Sequence, residues 1–283
     1  MATPFLKWAG GKGKLAPHIL ARMPAKVTCY HEPFAGGGAV FFALQTAGRV
    51  TDARLSDSNV ELIECFVAVR DRPLELVSAL AELAHQYDRR GVEGRLAYFL
   101  AHRSAVPLDP LARAARMIFL NKTCYNGLFR VNRRGEFNVP HGRYAHPRIC
   151  DPQTIMEASR ALTGVGLSTD DFGAASGKAN PGDFVYFDPP YQPLTATARF
   201  TSYTRAEFGV EEQTRLRNCF EALTERGVAA MLSNSDHPQV HELYDGRGYG
   251  FEHVEMSRAI NSVGSKRAPV AELLIDNFAR AGV

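Results

Sequence analysis

The tetrapeptide Asp188-Pro189-Pro190-Tyr191 follows the apolar run Asp183-Phe184-Val185-Tyr186-Phe187. Two consecutive prolines donate no backbone N–H and hold the chain extended. The segment therefore presents one carboxylate and a row of carbonyl oxygens. Such acceptors suit a substrate that offers an amino group, and the Tyr191 ring supplies a flat wall on which a planar base can stack. A strand ending in this segment delivers it to the carboxyl edge of a sheet, where open α/β sheets bind their ligands. Asp188, Pro189, Pro190 and Tyr191 are the candidate catalytic residues.

Two further segments carry binding chemistry. The turn His31-Glu32-Pro33-Phe34-Ala35-Gly36-Gly37-Gly38-Ala39 lies between a strand pattern and a helix pattern. Its glycines let a ligand approach the backbone closely. It lacks both the full dinucleotide glycine pattern and a phosphate-binding lysine. Asp57 closes the next strand, Leu55-Ser56, where an acidic side chain can accept ribose hydroxyls. A glycine turn plus an acidic strand end fits an adenosine-containing ligand without pyrophosphate. An N-cap for the helix that starts at Val60 is the alternative role for Asp57. Upstream, Phe5-Leu6-Lys7-Trp8-Ala9-Gly10-Gly11-Lys12-Gly13-Lys14 surrounds the single tryptophan with lysines and glycines. That composition predicts a mobile cationic segment suited to a carboxylate-bearing ligand.

Formal net charge is only +3, but the charge is uneven. Between Asn121 and Arg148, Lys122, Arg130, Arg133, Arg134, Arg143 and Arg148 face Glu136 alone. A basic island on a near-neutral chain points to a phosphate-facing surface. Five widely spaced cysteines with no C-x-x-C predict reduced thiols rather than disulfides or a zinc site. His237 and His241 are separated by Pro238 and lack the glutamate of a zinc-protease motif, so no metal is expected. No apolar run approaches bilayer length. The amino terminus lacks a secretory pattern, so a cytoplasmic location is expected.

These residues must be held by an alternation of strands and helices. Strand-like runs occupy Thr28–Glu32, Arg54–Ser56, Gly166–Ser168, Asp183–Phe187, Val228–Ser233, Phe251–Met256 and Ala271–Asn277. Leu15–Met23, Ala39–Gln45 and Glu211–Arg226 read as amphipathic helices, and Gly164 to Gly182 as a loose stretch. The alternation predicts an α/β fold with a mostly parallel sheet. From Val60 to Leu120 the pattern is helical throughout, punctuated by Pro73, Gly91, Gly94 and Pro107–Pro110. A hairpin-like alternation, Glu136-Phe137-Asn138-Val139, follows. Residues 58–148 thus read as a mostly helical insertion in an α/β domain made of 1–57 and 149–283.

In this order the motifs resemble the Dam-type DNA adenine-N6 methyltransferases of the alpha group, nearly end to end. Phe5–Lys12 looks like the family's amino-terminal cofactor motif, Glu32–Gly38 its glycine loop, and Asp188–Tyr191 its catalytic tetrapeptide. Asn121–Arg130 and Arg134–Tyr144 resemble its DNA-reading hairpin. The runs Pro193–Thr201, Leu232-Ser233-Asn234-Ser235 and Ala271–Ile275 are also similar. The resemblance implies a Rossmann-like S-adenosylmethionine-dependent methyltransferase sheet, with 58–148 as an inserted target-recognition domain. It implies cofactor contacts at Trp8, Lys12, Phe34, Gly36, Asp57, Asp171, Phe172 and Asp188. It implies double-stranded DNA contacts at Tyr125, Asn126, Leu128, Arg130, Asn132, Asn138, Pro140 and Arg143; Arg133, on the same basic island, is expected to meet phosphates. His141 departs from the family, standing where an aromatic residue is usual.

The expected reaction is direct methyl transfer to N6 of a flipped adenine, with GATC the expected target and no metal or obligate protein partner. Methylation of cytosine N4, of RNA adenine or of a glutamine amide competes, but the related tetrapeptides there more often begin with Ser or Asn. A non-catalytic DNA-binding module leaves Asp57, Asp188 and the glycine loop unexplained. A metal-dependent nuclease lacks a further carboxylate cluster. Solitary genome marking and a restriction-modification role are both compatible with these residues.

Overall fold

The computed structural model describes residues 1–191, 208–256 and 270–278. One sheet contains β1 (Tyr30–Glu32), β2 (Ala53–Ser56), β3 (Gly166–Ser168), β4 (Phe184–Phe187), β5 (Ala229–Ser235), β6 (Gly250–Met256) and β7 (Val270–Asp276). Their order is β3-β2-β1-β4-β5-β7-β6. The ladders from β3 to β5 are parallel, and β7 runs antiparallel to both β5 and β6. The expected α/β fold with a mostly parallel sheet is what the chain adopts. β1 and β4 are neighbours, yet the chain leaves β1 toward β2 and β4 toward β5. Their carboxyl ends therefore open a crevice at the topological switch point.

The β4 sequence shows why the sheet is buried on both faces. Phe184 and Tyr186 pack into the larger apolar cluster, whereas Val185 and Phe187 pack into a second one. Successive side chains of a strand point to opposite faces, so an unbroken apolar run needs a layer on each side. The larger cluster draws on α1 (Ala16–Arg22), α2 (Ala39–Thr46) and α7 (Pro152–Leu162). The second draws on α8 (Phe172–Gly177), α9 (Val210–Glu225) and α10 (Pro238–Tyr244).

The sequence reading places no helix at α7, α8 or α10. All three open on a side-chain cap: Asp151 accepts the Thr154 amide, Asp171 that of Ala174, and His237 Nδ1 that of Gln239. α8 lies inside the stretch read as loose; six residues, two of them glycine, are too few to show a helical period.

Between β2 and β3 come α3 (Val60–Asp71), α4 (Pro73–Asp88), α5 (Val92–Ser104) and α6 (Pro110–Thr123). Pro73 and Pro110 occupy helix starts, where a missing N–H costs nothing, and Gly91 caps α5. Leu62, Phe66 and Val69 of α3, Leu76 and Leu80 of α4, and Met117 and Ile118 of α6 join the larger cluster under the sheet. A third cluster, including Tyr87, Phe99, Phe119, Cys124 and Val139, supports the segment after α6.

In that segment the hairpin pairing is limited to two antiparallel bridges, Cys124↔His141 and Val131↔Phe137. Asn126 and Gly127 have positive φ, and Pro140 has no N–H, so a continuous ladder does not form. Asn132 shapes the tip: its Oδ1 accepts the Arg134 and Glu136 amides, and Gly135 takes φ 81°. No helix among the described residues is long and apolar enough to cross a membrane.

Candidate active site

β4 ends at Phe187, and the next residue, Asp188, enters the switch-point crevice with 20% of its side chain exposed. Its Oδ1 accepts Ser233 Oγ at 3.0 Å and meets Lys12 Nζ at 3.2 Å. Ser233 comes from β5 and is fully buried; its hydroxyl also lies 2.8 Å from the Tyr186 hydroxyl. An ionised carboxylate only accepts, so Ser233 donates to Asp188 and Tyr186 donates to Ser233. Burial pushes the Asp188 carboxyl above its ordinary range, while Lys12 and Ser233 pull it back.

Lys12 is not an exposed cation awaiting a ligand. It is 7% exposed, and its Nζ donates to the Gly10 carbonyl at 3.0 Å and rests 4.2 Å from the Tyr191 ring centroid. Tyr191 donates its hydroxyl to Glu272 Oε2 at 2.9 Å, and Glu272 lies 3.9 Å from Lys12 Nζ. Burial raises the Tyr191 phenol far above its usual range, so it stays a donor. Pro189 is buried and Pro190 exposed. The Pro190 carbonyl accepts Gln213 Nε2 at 3.2 Å; Gln213, from α9, accepts in turn from Asn234 Nδ2 at 3.2 Å.

The glycine loop lies across the crevice. Gly36 and Gly38 have φ of 47° and 70°, and the Gly36 amide donates to Asp57 Oδ2 at 3.0 Å. A Cβ on Gly36 would come within 2.8 Å of Trp8 Cδ1, and one on Gly37 within 2.9 Å of Trp8 Cβ. Trp8 thus abuts the loop through its Cβ and the Cδ1–Nε1 edge of its ring, with Phe129 stacked at 5.4 Å. Asp57 Oδ1 accepts the Asn59 amide at 2.9 Å, while Asn59 itself caps α3. The N-cap alternative for Asp57 therefore falls to Asn59. Burial raises the Asp57 carboxyl, and the two amides oppose that shift.

Phe34 stacks on Phe172 at 5.2 Å and meets Phe208 edge-on at 5.7 Å. Arg215 lies 4.2 Å over the Phe172 ring and pairs with Asp171. Glu32, just before the loop, is buried and accepts the Tyr30 hydroxyl at 2.9 Å and the Phe41 amide at 3.1 Å. Burial pushes its carboxyl up to about 8. The crevice thus offers an aromatic stack at Phe34 and Phe172, a buried acid at Asp57 and a second acid at Asp188, groups able to hold a cofactor with an aromatic base, hydroxyls and a positive charge.

The amino-terminal segment also ties this site to the basic hairpin. Asn121, 3% exposed, accepts the Lys7 amide at 2.9 Å and donates to the Lys7 carbonyl at 2.7 Å and the Gly127 carbonyl at 2.9 Å. Tyr125, Asn126, Arg130, Arg133, Pro140 and Arg143 are exposed, and Leu128, Asn132 and Asn138 half-buried. Arg130 Nε donates to Asn138 Oδ1 at 2.7 Å, and Asn132 is engaged within the turn. Two members of the basic island are diverted: Arg148 pairs with Asp151 at 2.9 Å, and burial lowers the Lys122 ammonium. His141 bonds the Tyr87 hydroxyl at 2.7 Å and packs on Phe99, filling the aromatic position with a ring.

The structure therefore gathers Lys12, Asp188 and Tyr191 at one point, and Trp8, Gly36 and Asp57 at another. Phe34, Asp171 and Phe172 form a third group. Ser233, Gln213, Glu272 and Glu32 had no role in the sequence reading. Glu32, Ser233 and Glu272 lay in runs noted for family resemblance, but Gln213 sits in an ordinary amphipathic helix and gave no signal. The run 193–201 lies outside the described residues. Among the described residues no group of three or more His, Cys, Asp or Glu could hold a metal ion.

The chain is similar to known proteins over nearly its whole length. Residues 8–260 match the family model of D12 class N6 adenine-specific DNA methyltransferases. The chain is 40% identical to the type II methyltransferase M1.LlaDCHI of Lactococcus lactis subsp. cremoris, covering 97% of this chain and 95% of that protein. It is 39% identical to the type II methyltransferase M.MjaIII of Methanocaldococcus jannaschii, over 97% and 99% of the two chains. With the DNA adenine methylase of Escherichia coli K12 it shares 36% identity over 95% of this chain and 93% of that one. A tetrapeptide acid at the switch point, a glycine loop braced by a strand-end aspartate and a match spanning both lead to one conclusion: this chain belongs to the D12 class N6 adenine-specific DNA methyltransferases, enzymes that draw their methyl group from S-adenosylmethionine.

Proposed function

We propose that the protein methylates N6 of an adenine flipped out of duplex DNA, within the sequence GATC. The observation that carries the reading is the Lys12–Asp188–Ser233 contact set beside the Tyr191 ring. Asp188 is recessed at the sheet edge, so a base still stacked in a duplex could not bring its amino group there. In this reading Asp188 and the Pro189 carbonyl accept hydrogen bonds from the amino group, and Asp188 takes the one proton that N6 must lose once the new N–C bond has formed. Those hydrogen bonds turn the nitrogen lone pair away from the ring and toward the methyl donor. Tyr191 stacks on the base, and the Gln213 contact to Pro190 keeps the carbonyls in place. When bound, S-adenosylmethionine supplies a methyl group already activated on a positively charged sulfur. Phe34 and Phe172 would hold its adenine, Asp57 its ribose side, and Trp8 would keep the glycine loop closed against it. Positioning and fixed dipoles supply the rate, with no metal and no covalent intermediate on the enzyme.

We assign 1–57 with 149–283 to catalysis and 58–148 to target recognition, in the cytoplasm beside the DNA and without an obligate protein partner. GATC is the first choice because the hairpin resembles that of GATC enzymes and because Arg is the usual bidentate partner of guanine. The DNA adenine methylases and type II methyltransferases to which the chain is similar support both solitary and restriction-linked roles. The test is methyl transfer from labelled cofactor to duplexes that each differ from GATC by one base pair. GATC alone should be methylated, and Asp188→Ala should reduce transfer by about a hundredfold or more. Equal methylation of all duplexes refutes the target, and an active Asp188→Ala variant refutes the site.

A further inference from the structure

We propose that Glu272 is a positioning residue for methyl transfer: it anchors the Tyr191 ring by its hydroxyl and shares Lys12 with Asp188. The inference rests on the reading of Asp188 and Tyr191 given above. β7 is the reversed strand, and its Glu272 is paired in register with Ser235 of β5. The beginning of β7 therefore lies at the carboxyl ends of β4 and β5, beside the tetrapeptide. Glu272 keeps 17% of its side-chain exposure there and places Oε2 2.9 Å from the Tyr191 hydroxyl.

A tyrosine at the end of a Pro-Pro segment is free to turn about two side-chain bonds. A stacking wall works only when its plane is fixed before the base arrives. A charge-assisted bond at the hydroxyl fixes the direction of the ring axis, and the cation against the ring face limits rotation about that axis. Lys12 Nζ lies against the ring face, 4.2 Å from its centroid, and between two carboxylates at 3.2 and 3.9 Å. Because Glu272 takes part of that charge, Asp188 is left a better acceptor for the substrate amino group. Asp188 Oδ2 makes no hydrogen bond among the described residues and is available for that purpose.

The experiment is single-turnover methylation by the full chain, with Glu272→Ala, Glu272→Gln, Tyr191→Phe and the Ala/Phe double variant. Binding of S-adenosylhomocysteine and of duplex DNA serves as the control for folding. Glu272→Ala and Tyr191→Phe should each slow methyl transfer about tenfold, with both affinities kept within about twofold. Because the two residues act through one bond, the double variant should be no slower than the slower single variant. Glu272→Gln still accepts the tyrosine hydroxyl and should recover most of the rate. Losses that multiply in the double variant, or wild-type transfer by Glu272→Ala, overturn the proposal. Asp188→Ala measured alongside separates the two levels. If it still transfers methyl groups, the underlying site reading fails; if it is inactive while Glu272 and Tyr191 act independently, only this inference fails.

Discussion

Lys12 Nζ lies 3.2 Å from Asp188 Oδ1, so a loop ahead of the first helix supplies the cation for an acid at the end of β4. Burial raises the Asp188 carboxyl above its ordinary range; the neighbouring ammonium and the Ser233 hydroxyl oppose the shift. Replacing Lys12 with Met removes the charged part of that opposition and leaves the burial and the Ser233 hydrogen bond. Since Asp188 must be ionised to accept the adenine amino group, activity falls as pH drops through its pKa. The wild-type acid limb should lie above the usual carboxylate range, and in Lys12→Met it should move to still higher pH. Profiles of kcat/KM against pH check this, and an unmoved limb removes Asp188 as the titrating group.

Asp57 grips the glycine loop through the Gly36 amide and the turn before α3 through the Asn59 amide. Asp57→Ala should weaken S-adenosylmethionine binding by on the order of 1.5–3 kcal/mol. Asp57→Asn keeps one acceptor oxygen and should lose less. DNA affinity without cofactor should stay the same in both. Calorimetric titration decides the matter, and unchanged cofactor affinity would make Asp57 a brace for the backbone only.

Glu32 offers a stability test. Its buried carboxyl titrates at about 8, above its value in the unfolded chain. Between the usual carboxylate range and about pH 8 the folded state holds a proton that the unfolded state has released. Stability contributed by Glu32 is therefore greatest in acid and is lost as pH rises through that window, by on the order of a few kcal/mol. Glu32→Gln should flatten this dependence while keeping the Tyr30 contact. Urea midpoints across the window measure it; parallel curves for the two proteins would sink the assignment.

Arg130 and Arg133 should fail differently. Arg130 is oriented by Asn138 at 2.7 Å, as suits a side chain that reads a base edge. Arg130→Ala should relax discrimination at one base pair by about 1–3 kcal/mol. Arg133 is exposed at the hairpin tip, where a phosphate contact positions without specifying. Arg133→Ala should weaken binding to all duplexes alike and flatten its salt dependence. Identical preference profiles for wild type and Arg130→Ala would remove Arg130 from base reading.

Much of this protein was legible in its residues alone. Short apolar runs between helical periods gave the sheet, because a run apolar on both faces is committed locally to a buried strand. Pro73, Gly91 and Pro110 marked the helices of the insertion, since missing donors and missing Cβ atoms act at their own positions. The tetrapeptide and the glycine loop stood out because their chemistry is concentrated within a few neighbouring residues. What the sequence did not determine is who meets whom across the sheet. Lys12 read as part of a mobile cationic arm, and only the tertiary structure buries it between Asp188 and Glu272. Gln213 looked like one more polar residue on a helix until α9 packed against β5 and set it under Pro190. The reversal of β7 brings Glu272 to the catalytic edge, and no local period encodes strand order. Periodicity is fixed by the geometry of the chain itself, but a contact between distant residues exists only after packing has chosen the neighbours.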